Sequence, residues 1–319
     1  MRRTLALTGA TGFIGAALLR KLTNAGWQVR ALRRQAGARS RSDLDDRSVE
    51  WLPGCLEDAQ SLERLVQGVT AVVHCAGAIR GATAAEFRAV NVEGVARLAT
   101  VAGAQKPLPR FLLISSLAAR EPQLSHYAAS KREGEEALRS AAGGMMWTVL
   151  RPPAVYGPGD RETLPLVRCM QFGCSPVLGP QDARFALLYV ADLADAVRHL
   201  LESETWPRGP FEIHDGRAAG YTWQDVIQTV ARILRKPVRQ VKVPLGGLRA
   251  AARANVILAR TFGYAPMLTP GKVRELAHLD WVCDDAALRR STGWAPRFLL
   301  EAGMRQTLQS LRGGRWLPA

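Results

Sequence analysis

Cysteine, acidic side chains and long apolar runs are all in short supply in this chain, and each shortage excludes something. Its five cysteines, Cys55, Cys75, Cys169, Cys174 and Cys283, form no CxxC pair and no His/Cys cluster at zinc spacing, which argues against a zinc site or a disulfide framework. Reduced thiols and no metal are expected. No apolar run approaches spanning length, and the stretch after Met1-Arg2-Arg3 is broken by Gly9 and Gly12 before it could act as a signal core. A cytoplasmic protein is expected, soluble or peripheral at the inner face of the membrane. Against 28 Asp and Glu stand 43 Lys and Arg, a formal net charge of +15 over 319 residues. Such an excess attracts anionic partners, and phosphate is common to a phosphorylated cofactor, an anionic lipid surface and nucleic acid. No nucleic-acid-binding motif accompanies the charge, so no nucleic-acid partner is expected. The remaining composition, 47% hydrophobic and 22% charged, is globular and excludes disorder and mini-protein scaffolds.

From Thr4 to about Leu150, short apolar runs alternate with helical patterns, the signature of βαβ units and a parallel sheet. Strands are expected at Thr4–Thr8, Gln28–Leu32, Val49–Leu52, Ala71–Cys75, Phe111–Ser115 and Trp147–Leu150. The first helix should start after Thr11, bury Leu18, Leu19 and Leu22, and stop at Asn24-Ala25-Gly26. Beyond Arg151 prolines crowd the chain, and helices read at Val190–Leu201, Thr222–Leu234, Pro270–His278 and Ala302–Leu311. Trp206, Trp223, Trp281, Trp294 and Trp316 make this half aromatic-rich and read as packing residues or turn anchors. His214 and His278 read as structural.

Thr8-Gly9-Ala10-Thr11-Gly12-Phe13-Ile14-Gly15 places three glycines between a strand and a helix, the context of a dinucleotide fingerprint. Gly9 permits the tight turn, Gly12 lets backbone approach a pyrophosphate, and Gly15 allows close packing. Thr11, Phe13 and Ile14 share the turn and count as cofactor contacts, with helix N–H groups facing the anion. At the end of the second strand, where NAD-selective sites usually place a carboxylate for the ribose 2′-hydroxyl, stand Arg30, Arg33 and Arg34. Guanidinium suits a 2′-phosphate, so NADP(H) is favoured over NAD(H), with Arg33 and Arg34 as its binders. The fold expected is α/β: a Rossmann-type doubly wound parallel sheet with a smaller C-terminal α/β substrate lobe. Residues 1–155 form the NAD(P)-binding Rossmann domain, and residues 156–319 the substrate lobe, interleaved with the Rossmann core.

Tyr127-Ala128-Ala129-Ser130-Lys131 sets a phenol and an ammonium one helical turn apart. A nearby cation lowers a phenol's pKa, which would let Tyr127 exchange a proton near neutral pH. A lone YxxxK is weak, but here it follows a glycine cradle and a strand ending in Ile114-Ser115-Ser116.

Further segments agree: VVHCAG at Val72–Gly77, NVEG at Asn91–Gly94, RPPAVYGPG at Arg151–Gly159 and LLYVADLADAV at Leu187–Val197. Together they resemble the extended short-chain dehydrogenase/reductase family, the NAD-dependent epimerase/dehydratase group, over essentially the whole chain. The resemblance implies that Ser116 positions the substrate carbonyl or alcohol and that Tyr127 is the acid/base. Lys131 would tune Tyr127 and hold the nicotinamide ribose, and Asn91 is a candidate relay residue. It also implies that Ala76 and Gly77 line the cofactor, with Pro153 and Val155 near the nicotinamide. Two departures matter. Cys55 stands where many relatives carry an adenine-contacting aspartate, leaving adenine to the backbone near Leu56. Ala154 stands where nucleotide-sugar members commonly have asparagine, and only eleven positions separate Ser116 from Tyr127. Ala154 and the short Ser116–Tyr127 segment argue against a nucleotide sugar.

Within Leu245–Phe262, Arg249, Arg253 and Arg260 share one narrow helical stripe beside Leu245, Leu248, Val256, Leu258 and Phe262. The commoner meaning of such a pattern is a core helix with an exposed arginine edge. The other is a surface that seats on an anionic membrane and admits a lipid.

The leading functional expectation is an NADPH-dependent reductase of a ketone on an apolar substrate. Similarity to bacterial ceramide-reductase-like members implies a keto-sphingolipid or ketoceramide-like lipid. The runner-up is an NAD-dependent nucleotide-sugar epimerase or dehydratase, with Arg151, Arg184 and Arg217 as a diphosphate clamp. A third class is a non-catalytic dinucleotide-binding accessory protein. Pairing into a homodimer is left open.

Overall fold

A computed structural model describes residues 3–34 and 48–312. Trp316 and the chain ends of the two expected domains lie outside the described residues. Six strands form where the apolar runs predict them, to within one residue at either end: β1 (Thr4–Thr8), β2 (Gln28–Arg33), β3 (Val49–Pro53), β4 (Ala71–His74), β5 (Arg110–Ile114) and β6 (Trp147–Arg151). Between them run α1 (Phe13–Asn24), α2 (Ala59–Val66), α3 (Ala84–Arg88), α4 (Gly94–Gly103) and α5 (His126–Ala141). Ala89–Glu93, joining α3 to α4, is one wide π turn.

The later half adds β7 (Ala154–Tyr156), α6 (Leu164–Gln171), β8 (Cys174–Val177), β9 (Arg184–Phe185), β10 (Leu187–Tyr189), α7 (Val190–Glu202) and β11 (Gly209–Glu212). It continues through α8 (Trp223–Leu234), β12 (Arg239–Lys242), α9 (Leu245–Phe262), α10 (Pro270–Ala277), β13 (Asp280–Trp281), α11 (Ala286–Thr292) and α12 (Leu300–Arg312).

Seven strands make one parallel sheet in the order β3-β2-β1-β4-β5-β6-β11. Its order reverses between β1 and β4, the switch point where such sheets bind ligands beyond their strand ends. β11 comes from the later half and carries Pro210, which an edge strand tolerates. Both sheet faces are covered. Leu18, Leu19 and Leu22 of α1 and Leu193, Val197 and Leu200 of α7 bury one side, while Leu62, Leu65, Leu98 and Leu138 bury the other. A separate apolar cluster around Tyr156, Tyr189, Val226, Val230 and Leu308 holds the second lobe.

The core-helix expectation for Leu245–Phe262 is corrected. The helix forms over those bounds, yet only Leu248, Ala252 and Ala259 are buried, while Leu258 and Phe262 face outward. Its spacing supplies an apolar stripe, and α10 covers part of it, Val273 packing with Leu248 and Ala252.

Candidate active site

The glycine cradle closes at the end of β1. Gly9 lies at φ +72°, and a Cβ there would fall 2.6 Å from the Ala76 backbone nitrogen. A Cβ on Gly15 would fall 2.0 Å from the Gly9 carbonyl oxygen. Backbone thus takes the space of side chains at both positions. Gly12 donates to the Gly9 carbonyl at 3.0 Å and opens α1 with no side-chain cap and no acid in its first turn. The positive end of the helix dipole is left to a ligand, so the pyrophosphate of a nicotinamide dinucleotide fits this cradle. Thr11 is exposed beside it. Phe13, Ile14, Cys75 and Val155 pack on one core cluster, which draws the β1, β4 and β7 ends together. Behind the cradle, Thr8 Oγ1 lies 2.7 Å from His74 Nδ1 and accepts from the Ala76 amide at 3.2 Å.

At the end of β2 the three arginines separate by role. Arg30 is held by Glu50 at 2.9 Å and donates to the Arg64 and Gln67 carbonyls at the close of α2. Arg33 stacks over Trp51, its guanidinium carbon 5.4 Å from the ring centroid, and Arg34 is exposed. Leu56 is buried against Gly94, while Cys55 uses its carbonyl to accept from Ser61 at 3.1 Å.

Ser116, Tyr127, Lys131 and Asn91 are brought together from β5, α5 and the π turn. Ser116 follows β5 and accepts from the Ala118 amide at 3.2 Å. Ser125 caps α5 by accepting from Ala128 at 2.9 Å, which starts the helix just ahead of Tyr127. One turn on, Lys131 Nζ donates to the Ile114 carbonyl at 3.3 Å. A Cβ on Gly77 would stand 3.1 Å from Lys131 Nζ and 3.2 Å from Asn91 Oδ1, so these groups converge where β4 ends. Asn91 accepts from the Ala78 amide and donates to the Ala78 carbonyl and Ser130 Oγ, each at 2.9 Å. Its side chain therefore ties the loop after β4 to α5. Pro153 is half-buried between β6 and β7.

Electrostatics here differ from the simple Tyr/Lys expectation. Burial pushes the Tyr127 phenol up to about 12; the Ser116 hydroxyl bonded to it pulls back, and the Glu275 carboxylate pushes further up. Burial also drives Lys131 below the ordinary ammonium range, against the opposing pull of Cys75 and Glu135. Desolvation, not the neighbouring ammonium, governs the phenol in this arrangement.

Tyr127 faces a cavity of about 360 Å³, walled by Ile79, Phe87, Val256 and Met267, with Arg260, Lys272, Arg274 and Glu275 on its polar side. The Phe87 ring meets Tyr127 edge-on at 6.1 Å between centroids. Glu275 is buried, accepts from the Ser125 hydroxyl, and pairs with Lys272 at 2.9 Å. Neither Ser125 nor Glu275 stood out in the sequence. Ser125 carried a helix-start signal two residues before Tyr127; Glu275, 150 positions from its partner, carried none.

The expected arginine clamp does not assemble. Arg151 is taken by Glu135 at 2.9 Å, whose carboxylate also accepts from Ser115 at 2.6 Å. Arg217 pairs with Asp225 at 3.2 Å and lies over Tyr221, while Arg184 donates to the Ala219 carbonyl at 3.1 Å. None of the three lines the cavity.

Sheet, cradle and Ser/Tyr/Lys cluster define an NAD(P)-dependent enzyme of the extended short-chain dehydrogenase/reductase type. Residues 5–213 match the NAD dependent epimerase/dehydratase family, and the chain belongs to it. It is 38% identical to a ceramide reductase of Caulobacter vibrioides, an alignment spanning 99% of this chain and 97% of that protein. In three dimensions it is similar to UDP-glucose 4-epimerase of Thermotoga maritima, at a TM-score of 0.75 and 21% identity over 98% of this chain and 99% of that one. UDP-glucuronic acid 4-epimerase of Bacillus cereus, crystallised with NAD, aligns at 0.76 and 16% identity, covering 97% and 99%. Among the described residues no helix is long and apolar enough to cross a membrane.

Proposed function

We propose that this protein reduces a ketone on an apolar, lipid-like substrate at the expense of NADPH. The observation that carries this reading is the placement of Tyr127 on a cavity whose apolar wall is Ile79, Phe87, Val256 and Met267, with Arg260, Lys272 and Arg274 on its polar side and none of Arg151, Arg184 and Arg217 in its lining. Full-length similarity to a ceramide reductase supports a keto-sphingolipid or ketoceramide-like substrate. Residues 1–155, with α7 and β11 from the later half, supply the cofactor side; the rest of 156–319 brings Val256, Met267 and Glu275 to the substrate wall, opposite Ile79 and Phe87 of the first half.

A nicotinamide dinucleotide bound in the cradle supplies hydride to the substrate carbon. Gly9, Thr11, Gly12, Phe13, Ile14 and Gly15 hold its pyrophosphate, and Arg33 and Arg34 take the 2′-phosphate. Leu56 lies on the adenine side; Ala76, Gly77, Pro153 and Val155 border the nicotinamide side. Ser116 donates a hydrogen bond to the ketone oxygen, and Tyr127 delivers the proton that converts it to an alcohol. A phenol held near 12 stays protonated at neutral pH, as a proton donor must, and is still a far stronger acid than the alcohol it makes. Lys131 holds the ribose and, once the proton has left, faces the phenolate. Asn91 keeps the loop after β4 against α5.

The test is calorimetric titration of cofactor-stripped protein with NADPH and NADH, followed by NADPH oxidation on long-chain ketones, starting with a ketoceramide. Tenfold or greater preference for NADPH, about 1.4 kcal/mol, and turnover of the long-chain ketone are expected. Tightly held NAD with stabilisation by UDP- or dTDP-sugars would replace this reading with an epimerase or dehydratase. Cofactor binding with no turnover of any kind would replace it with an accessory role.

A further inference from the structure

α9 has two unlike sides. Val256 and Arg260 form part of the wall of the Tyr127 cavity, while Ile257 and Phe262 are 64% and 73% exposed beside the exposed Leu258. At about 100° per residue, Arg249, Arg253 and Arg260 fall within about 40° of arc, and Ile257 follows about 40° beyond Arg253. From Leu245 to Arg274 the chain carries five basic residues and no acid. Among the described residues the helix is fastened along its inner side, by the small Leu248, Ala252 and Val273 cluster and by Asn255 Nδ2 donating to the Leu268 carbonyl at 2.9 Å.

Leu258 and Phe262 lie about 140–180° around from the arginines. Exposed apolar side chains on one side of a helix with cations on the other, and no acid between Leu245 and Arg274, are the pattern of a helix lying in an anionic membrane interface. A protein partner that covered this face would have to match both a row of arginines and an isoleucine, leucine and phenylalanine; an anionic bilayer does so through headgroup phosphates above and acyl chains below. We propose that α9 docks on an anionic bilayer, with Ile257, Leu258 and Phe262 entering the interface and Arg249 and Arg253 meeting the headgroups. Because the same helix walls the active-site cavity, docking sets the mouth of that cavity at the lipid surface. A substrate that resides in the bilayer then reaches Tyr127 along α9 without crossing water. The purpose of the docking rests on the lipid-ketone reading, but its test needs no turnover.

The experiment is co-sedimentation of the full chain with phosphatidylglycerol/phosphatidylcholine vesicles and with phosphatidylcholine vesicles alone. Binding to the anionic vesicles, weakened by salt, is expected. Leu258→Glu with Phe262→Glu, and separately Arg249→Glu with Arg253→Glu, should each lower partitioning on the order of tenfold or more, with thermal unfolding unchanged because these side chains are exposed. Arg64→Glu with Arg139→Glu, a charge-matched pair of exposed residues on the Rossmann half, should bind as the parent does. Equal loss in that control pair would reduce the binding to net charge and overturn the proposal, as would failure of the parent to sediment. A parent that sediments through α9 but reduces no lipid ketone upholds the docking and removes the substrate reading. Reduction of ketoceramide in detergent without vesicle binding removes the docking alone.

Discussion

Glu275, on α10, accepts a hydrogen bond from Ser125, the residue that caps the helix carrying Tyr127. The second lobe thereby places a buried carboxylate beside the Tyr127 phenol, and that charge raises the cost of forming phenolate. Glu275→Gln removes the charge while keeping an acceptor for Ser125. With Glu275 gone, Lys272 loses its partner and adds a positive field of the same effect. The Tyr127 pKa should fall, and the high-pH loss of kcat/KM should begin at lower pH. An unmoved alkaline limb would show that Glu275 only holds α10 in place.

Tyr127→Phe deletes the proposed proton donor and leaves the cradle intact. Ketone reduction should drop by about 10²–10⁴-fold, with NADPH affinity within a factor of about two by calorimetry. Residual activity near the parent level would place the acid elsewhere.

Arg33→Asp with Arg34→Ala should weaken NADPH by about tenfold or more, about 1.4 kcal/mol, while NADH changes little. Arg30 is the internal comparison, since it is held by Glu50 and the α2 carbonyls; Arg30→Ala should lower stability before selectivity. Equal losses for both cofactors in the double variant would refute the 2′-phosphate assignment.

Glu135→Gln strips the counter-charge from Arg151, a pair whose side chains are only 7% and 11% exposed. Breaking a buried pair on one side costs about 3–5 kcal/mol, and Ser115 loses its charged acceptor as well. A fall of several degrees in Tm is expected, with cofactor selectivity unaltered.

His74 is buried, and its pKa is lowered from 6.5 to about 3, first by burial and then by the Lys131 charge. The unfolded chain takes up this proton below pH 6.5 while the folded one does not, so His74 makes stability fall as pH drops from about 6.5 to about 3. The slope approaches about 1.4 kcal/mol per pH unit within that window. His74→Asn should flatten the Tm-against-pH curve between these limits; an unchanged slope would assign the acid sensitivity to other groups.

The parts of this protein that could be read along the chain are those decided by neighbours in sequence. Gly9, Gly12 and Gly15 read as a cradle because a tight strand-to-helix turn is local geometry, and Tyr127 with Lys131 because four positions make one helical turn. The six strands from Thr4 to Arg151 were legible for the same reason, since a strand covered on both faces shows as a short apolar run. Tertiary structure decided what covers each surface. Spacing predicts that α9 has an apolar stripe; only packing shows that α10 covers part of it and leaves Ile257, Leu258 and Phe262 outside. Spacing sets Lys131 beside Tyr127, but the phenol's acidity follows from burial and from Glu275, which no local pattern connects to it. Arg151, Arg184 and Arg217 look alike as loose cations in the sequence, and it is their separate partners Glu135, Ala219 and Asp225 that take them out of the site. Residue type and local spacing set which groups are available, and long-range packing sets which of them are desolvated, paired or left facing the ligand.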